Sequence, residues 1–259
     1  MIQRSSWQIM ADTVFALMIR ELRTRFGASR LGYFWAIAEP ALQTSVMVVV
    51  FSALGRNTLS DVPVALFMLT GILPYKLFSK LLTQLGAAVQ SNRGLLSYRQ
   101  VVPFDPFLTR LIIELATFLI VYFILIAVLA WLGMSALPND FLHMIVATLL
   151  LILCAFGFGM ILCVVQLYWE DVTKLVTIVM TPMMFVSGVF YSASMVPEQY
   201  WYLLTWNPIF HAVELSRDAY FSSYVTPIGS WLYLAVCALV CMAGGVIAFR
   251  LNRQRFVES

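Results

Sequence analysis

Charge is the first thing this sequence has little of. Only 11% of its 259 residues are Asp, Glu, Lys or Arg, against about 25% in a typical soluble domain. Water is therefore not the main solvent for its surface, and a nucleic-acid partner is not expected. Histidine is nearly absent: His143 and His211 are too few and too scattered for a His-rich metal site. The four cysteines (Cys154, Cys163, Cys237, Cys241) stand in apolar stretches. They read as small buried side chains in preference to a disulfide or metal framework.

The motifs of catalysis are also missing. Gly27 and Gly32 have the spacing of a phosphate loop, but Tyr33 and Phe34 follow where Lys and Ser/Thr are needed, so the loop cannot charge-pair a phosphate. No H-E-x-x-H, G-x-S-x-G or cysteine-pair motif occurs. No catalytic residue, cofactor site or metal ligand is expected in this chain. Acidic residues in apolar stretches are sparse, which argues against a proton-relay pump. If the chain drives uphill transport, the energy has to come from another subunit.

What the chain does have is length in apolar runs. Hydrophobic residues make up 61% of it, and a membrane-crossing helix needs about 20 such residues in sequence. Six stretches qualify, at about 34–54, 64–88, 107–132, 141–167, 173–192 and 229–249. They predict an all-α integral membrane domain over 1–259, with no room for a separate soluble domain. The first thirty residues hold Arg4, Asp12, Arg20, Glu21, Arg23, Arg25 and Arg30 and lack an uninterrupted apolar core, so they do not read as a cleavable signal.

Lys and Arg are enriched in cytoplasmic loops. Arg4, Arg20, Arg23, Arg25 and Arg30 precede the first span; Arg93, Arg99, Arg110 and Lys174 fall in the second and fourth connections; Arg250, Arg253 and Arg255 lie in the tail. The opposite side has Arg56 and Arg217, while Lys76 and Lys80 lie within a span. Both termini are predicted to be cytoplasmic.

Residues 6–28 read as an amphipathic interfacial helix with a stripe at Met10, Val14, Met18, Leu22 and Phe26, widened by Trp7, Phe15 and Ile19. It is either a membrane anchor alone or also a contact for a partner subunit. Glu39-Pro40 in the first span predicts a kink and a carboxylate needing a partner. Lys76 and Lys80, four residues apart, share a helical face. They must either face a polar cavity or pair with acids such as Glu39 or Glu114. Gly157-Phe158-Gly159 reads as a close helix-packing point. The 89–106 connection is polar and proline-bounded, and 168–174 is short, acidic and aromatic. Residues 193–228 are aromatic-rich, broken by Pro197 and Pro208, and too polar to span. A re-entrant or interfacial helix pair on the far side fits them.

Several stretches carry a resemblance. They are Arg20-Glu21-Leu22-Arg23-Thr24-Arg25-Phe26-Gly27, Arg30-Leu31-Gly32-Tyr33-Phe34-Trp35-Ala36-Ile37 and Glu39-Pro40. Gly71-Ile72-Leu73-Pro74 with Phe78-Ser79, Asn92-Arg93-Gly94-Leu95 through Tyr98-Arg99, Met195 to Trp201 and Trp206 to Arg217 follow in order. Together they resemble the capsular-polysaccharide export permeases (the KpsM type) of the type-2 ABC exporters, over nearly the whole chain.

The resemblance implies a homodimer in the bacterial inner membrane, docked on two cytoplasmic ATPase subunits that bind ATP and Mg. The cargo it implies is a lipid-linked acidic polysaccharide, passed onward to periplasmic and outer-membrane export proteins. It places a coupling helix in 89–106 and periplasmic re-entrant helices in 193–228. Arg93, Arg99, Glu170 and Asp171 are the candidate ATPase contacts. Where related type-2 exporters often have an arginine before the aspartate, this chain has Glu170. Lys76, Lys80, Tyr75 and Phe78 are the candidate translocation pathway, because a polyanion needs cations and sugars stack on aromatic faces. The same kind of permease could instead carry O-antigen, teichoic acid or another lipid-linked glycan. A channel or ion-coupled carrier without an ATPase fits the topology alone. A membrane-embedded glycosyl or acyl transferase would need clustered Asp or His, which no span offers.

Overall fold

The computed structural model describes residues 5–26, 32–56, 58–96 and 101–258. Gly27 of the first motif, Arg30 and Leu31 of the second, and Tyr98 and Arg99 lie outside these residues. Helix α1 (Ser6–Phe26) is followed by α2 (Gly32–Ala53), the two-residue strands β1 (Thr58–Leu59) and β2 (Val62–Pro63), and α3 (Val64–Gly86). A 3-10 turn (Gln90–Asn92) and the short α4 (Arg93–Leu96) lead to α5 (Asp105–Trp131) and α6 (Phe141–Gln166). Helices α7 (Val172–Val186), α8 (Pro208–Tyr220), α9 (Trp231–Asn252) and α10 (Arg255–Glu258) complete the chain.

Five of these helices, α2, α3, α5, α6 and α9, are long and apolar enough to cross a membrane. The sixth expected span, 173–192, is shorter than its apolar run. Helix α7 has 15 residues, or about 22 Å at the α-helical rise, less than the roughly 30 Å hydrocarbon core. Its end is local chemistry. The Ser187 hydroxyl folds back onto the Met183 carbonyl at 2.7 Å, and Gly188 takes a φ of 68°. That left-handed conformation suits glycine and stops a helix.

The β1–β2 hairpin turns through Ser60 and Asp61, both at positive φ, with Leu59 opposite Val62. Such a two-residue turn matches the twist of its strands. Asp140 caps α6 by accepting the His143 amide at 3.1 Å and the imidazole Nδ1 at 2.5 Å. These contacts hold the Asp140 carboxyl below the usual carboxylate range.

Helix α3 is the central element, buried continuously from Val64 to Tyr75. Helix α6 packs between it and α9, and small residues permit the approach. A Cβ on Gly157 would sit 2.3 Å from the Cys241 backbone, and one on Gly159 would sit 2.5 Å from the Leu85 side chain. The expected packing point thus serves two neighbours, because residues two apart on a helix face different sides. Gly157→Ala is expected to cost about 1–3 kcal/mol through overpacking against backbone, read as a lower midpoint of thermal unfolding in detergent. Cys154 Sγ lies 3.8 Å from Cys241 Sγ across the same contact, and all four cysteines are free.

Helix α1 turns Val14 and Leu17 inward while Trp7 and Phe15 stay on the outside, as an interfacial helix places them toward lipid. The 193–228 segment departs from the expected helix pair. It forms two 3-10 turns (Ala193–Met195 and Glu198–Leu203) and one α-helix, α8, whose residues Ile209 to Arg217 are all buried. The aromatics Tyr200, Tyr202 and Trp206 remain outside.

Candidate functional site

Pro40 sits inside α2 one residue after Glu39, where its missing N–H frees a backbone carbonyl and bends the helix. Glu39 meets both lysines of α3. Its Oε1 is 2.5 Å from Lys76 Nζ and its Oε2 is 3.8 Å from Lys80 Nζ. The two expectations for the lysines coincide, since this ion pair also lines an open cleft of about 290 Å³ between α2, α3 and α7. Lys80 and Glu39 are 42% and 57% exposed at the side chain, so their charges remain available to a passing group. Lys76, at 17%, is held more closely. Glu114 borders a second, small cavity with both lysines on the α5 side.

The cleft is built from polar residues one helical turn apart. Glu39 and Gln43 come from α2, Lys76 and Lys80 from α3, Thr177 and Thr181 from α7. Residues at i and i+4 share a face, so each apolar helix carries one short polar stripe, and the three stripes meet. Sequence reading found the α3 stripe and Glu39. The Gln43 and Thr177/Thr181 signals were present but had no charge to draw attention to them.

Tyr75 reaches the cleft edge, and its hydroxyl donates to the Met180 carbonyl on α7. Phe78 does not line the cleft. It is buried and meets the Phe158 ring edge-on, with centroids 6.4 Å apart. Two residues beyond Lys76 means about 200° around the helix, which points Phe78 at α6.

The candidate partner contacts lie elsewhere. Arg93 is half-buried on α4, while Glu170 and Asp171 are exposed before α7. Asp171 pairs with Lys174 at 2.7 Å. Tyr168 donates to Asn252 Oδ1 at 2.6 Å, and the Arg255 guanidinium stands 5.1 Å from the Tyr168 ring. The tail and the 168–171 loop therefore form one surface.

A third cluster was missed because its charges looked like marks of exposure. Arg217 and Glu214 on α8 are fully buried, 3.6 Å apart. Arg217 donates to the carbonyls of Gly188 and Val189 at 2.7 Å each and Tyr191 at 3.1 Å, with a longer contact to Phe67 at 3.4 Å. Its guanidinium carbon lies 3.7 Å from the Phe67 ring centroid. Glu214 accepts from the hydroxyls of Tyr224 and Thr226. The carbonyls of the turn that follows α7 are thus satisfied by a side chain from α8. The i, i+3 spacing of Glu214 and Arg217 was the only local hint.

Comparison with known proteins settles the family. Residues 12–221 match the family model described as ABC-2 type transporter. The chain belongs to the ABC-2 type transporter family. Its similarity to members of known name runs end to end. It is 34% identical to the polysialic acid transport protein KpsM of Escherichia coli over 99% of both chains. It is 29% identical to the capsule polysaccharide export inner-membrane protein CtrC of Neisseria meningitidis serogroup A, over 92% of this chain and 90% of that one. The O-antigen export system permease protein RfbA of Klebsiella pneumoniae is 21% identical over 95% and 94%.

Proposed function

We propose that this chain is the membrane permease of an ATP-driven exporter of lipid-linked acidic capsular polysaccharide, working as a homodimer on two cytoplasmic ATPase subunits. The observation that carries the reading is the full-length similarity to KpsM, whose name states polysialic acid transport. The polar cleft of α2, α3 and α7 supports it, because apolar helices keep intramembrane charge where it meets a substrate or a cavity. Both termini lie on the ATPase side in this reading, in accord with the Arg-rich ends. ATP and Mg belong to the partner subunits, with Arg93, Arg99, Glu170 and Asp171 facing them. The polymer passes along Lys76, Lys80 and Tyr75, and periplasmic and outer-membrane proteins receive it.

The decisive test is reconstitution of the chain with its co-encoded ATPase in liposomes. Acidic polymer is expected to stimulate ATP hydrolysis and to accumulate on the far side. An inert ATPase, or flux that ignores ATP, would favour a channel or ion-coupled carrier. The similarity to RfbA, an O-antigen export permease by name, keeps O-antigen in view as a second cargo. Stimulation by neutral glycan equal to that by acidic polymer would favour it.

A further inference from the structure

The cytoplasmic side of the proposed permease carries a polar network that a membrane anchor does not need. Glu21 of α1 and Arg110 of α5 form an ion pair at 2.9 Å, with side chains 8% and 7% exposed. The same guanidinium donates to the Gln84 carbonyl in the last turn of α3 and to the Ser91 hydroxyl in the 3-10 turn. Ser91 in turn donates to the Ala87 carbonyl at 2.6 Å. A second bridge runs alongside, from the Arg20 guanidinium to Asn92 Oδ1. Asn92 is buried, and its Nδ2 donates to the Ala88 carbonyl at 2.7 Å. One arginine therefore touches α1, α3 and the segment between α3 and α5, while Arg110 of α5 and Arg20 of α1 hold that segment at the consecutive positions Ser91 and Asn92.

A static helix could be held by apolar contacts such as those of Val14 and Leu17 at lower desolvation cost. A buried ion pair is weak evidence for stability, and its best-attested use is to set register. Here the elements in register are α1, the start of α5 and the 90–96 segment, which joins the last turn of α3 to α4. Helix α3 also carries Lys76 and Lys80. A push on 90–96 is then shared by α1 and α5 and delivered to the helix that lines the cleft.

We propose that Glu21 and Arg110 form a latch that fixes the 90–96 segment against α1 and α5, making both of them positioning residues for engagement by the ATPase. The proposal rests on the permease reading above. It resolves the two expectations for α1 into a third role, in which Arg20 and Glu21 are spent inside the chain.

The test uses the full chain with its ATPase in liposomes, and the chain alone in detergent. In the chain alone, spin labels at Arg23→Cys on the exposed side of α1 and Gly94→Cys, where a side chain meets open space, report the distance between the two elements. The four native cysteines are replaced by alanine in this background. A single narrow distance is expected, and Glu21→Gln is expected to broaden it. In the complex, Glu21→Gln is expected to leave assembly intact while polymer moved per ATP hydrolysed falls roughly tenfold, a loss of about 1.4 kcal/mol in coupling. Arg20→Met cuts only the bridge to Asn92 and covers the case in which Glu21→Gln does not fold. It is expected to lower the same ratio about threefold, a smaller loss than for Glu21→Gln because the Glu21–Arg110 pair is kept.

An unchanged distance, or a broadened distance with normal transport per ATP, overturns the latch. Parallel loss of assembly and transport with the ratio preserved also overturns it, since a merely structural contact does that. If the ATPase does not bind the wild-type chain, the permease reading fails instead. The distance comparison then still overturns the latch if Glu21→Gln leaves it unchanged.

Discussion

Arg217→Met is expected to cost about 3–5 kcal/mol of stability, the range for removing one partner of a buried ion pair. The loss has two parts. Glu214 keeps its Tyr224 and Thr226 hydroxyls but loses the cation 3.6 Å away. The carbonyls of Gly188, Val189 and Tyr191 lose their shared donor, and each buried unsatisfied group costs about 1–3 kcal/mol. Methionine fills much of the volume and can still pack on Phe67, so a cavity is not the main cause. The variant should show a much lower thermal midpoint in detergent and poor recovery of monodisperse protein. Arg217→Lys keeps the charge but cannot reach several carbonyls in one plane, and should fall between the two. Glu214→Gln should cost less, because the carbonyls still hold the guanidinium. A wild-type midpoint for Arg217→Met would show that the carbonyls find other donors and that α8 is not what holds the turn after α7.

The second large effect concerns transport. Lys76→Met together with Lys80→Met is expected to leave folding nearly intact, because the pair with Glu39 is wet and such pairs contribute about 0–1 kcal/mol. Export of an acidic polymer should nevertheless fall about 10–100-fold. That follows from the roughly 1.5–3 kcal/mol of a hydrogen bond to a charged group. The variant also leaves Glu39 unneutralised in the cleft, where it repels a polyanion. Adding Glu39→Gln should therefore recover part of the loss, and Lys76→Arg with Lys80→Arg should retain most of the export. The readouts are polymer flux, co-purification with the ATPase and thermal midpoint, taken on the same preparations. Loss of assembly with no separate export defect would make the lysines structural. Lys80 alone should matter more for flux than Lys76, since it is the more exposed and sits farther from Glu39.

Legibility in the sequence followed the range of the interaction. The long apolar helices could be read directly, since hydrocarbon thickness and helical rise set a length that few soluble segments reach. Helix α3 starts at its expected residue, and the other long helices begin or end within three residues of expectation. The turn at Ser187 and Gly188 was not legible, because the apolar run continues through Val189 and Phe190. Nothing local says that a guanidinium 28 positions later will take the Val189 carbonyl. The burial of α8 within 193–228 was not legible for a related reason. Charge normally marks exposure, and the exception arises only when partners from several elements converge on one buried group.

By itself the sequence determined that the chain lives in a membrane, where its long helices fall, that it carries no phosphate loop, and that α3 bears two lysines on one face. Each is a property of composition or of spacing within one helix. Only the tertiary structure decided that Glu39 takes both lysines, that Thr177 and Thr181 share their cleft, and that Phe78 turns away from it. It alone decided that Arg217 holds the turn after α7 and that Glu21 grips Arg110. Those outcomes depend on which helices pack side by side. In a chain this apolar, many pairings satisfy the hydrophobic pattern equally well, and the few polar groups that must find partners select among them.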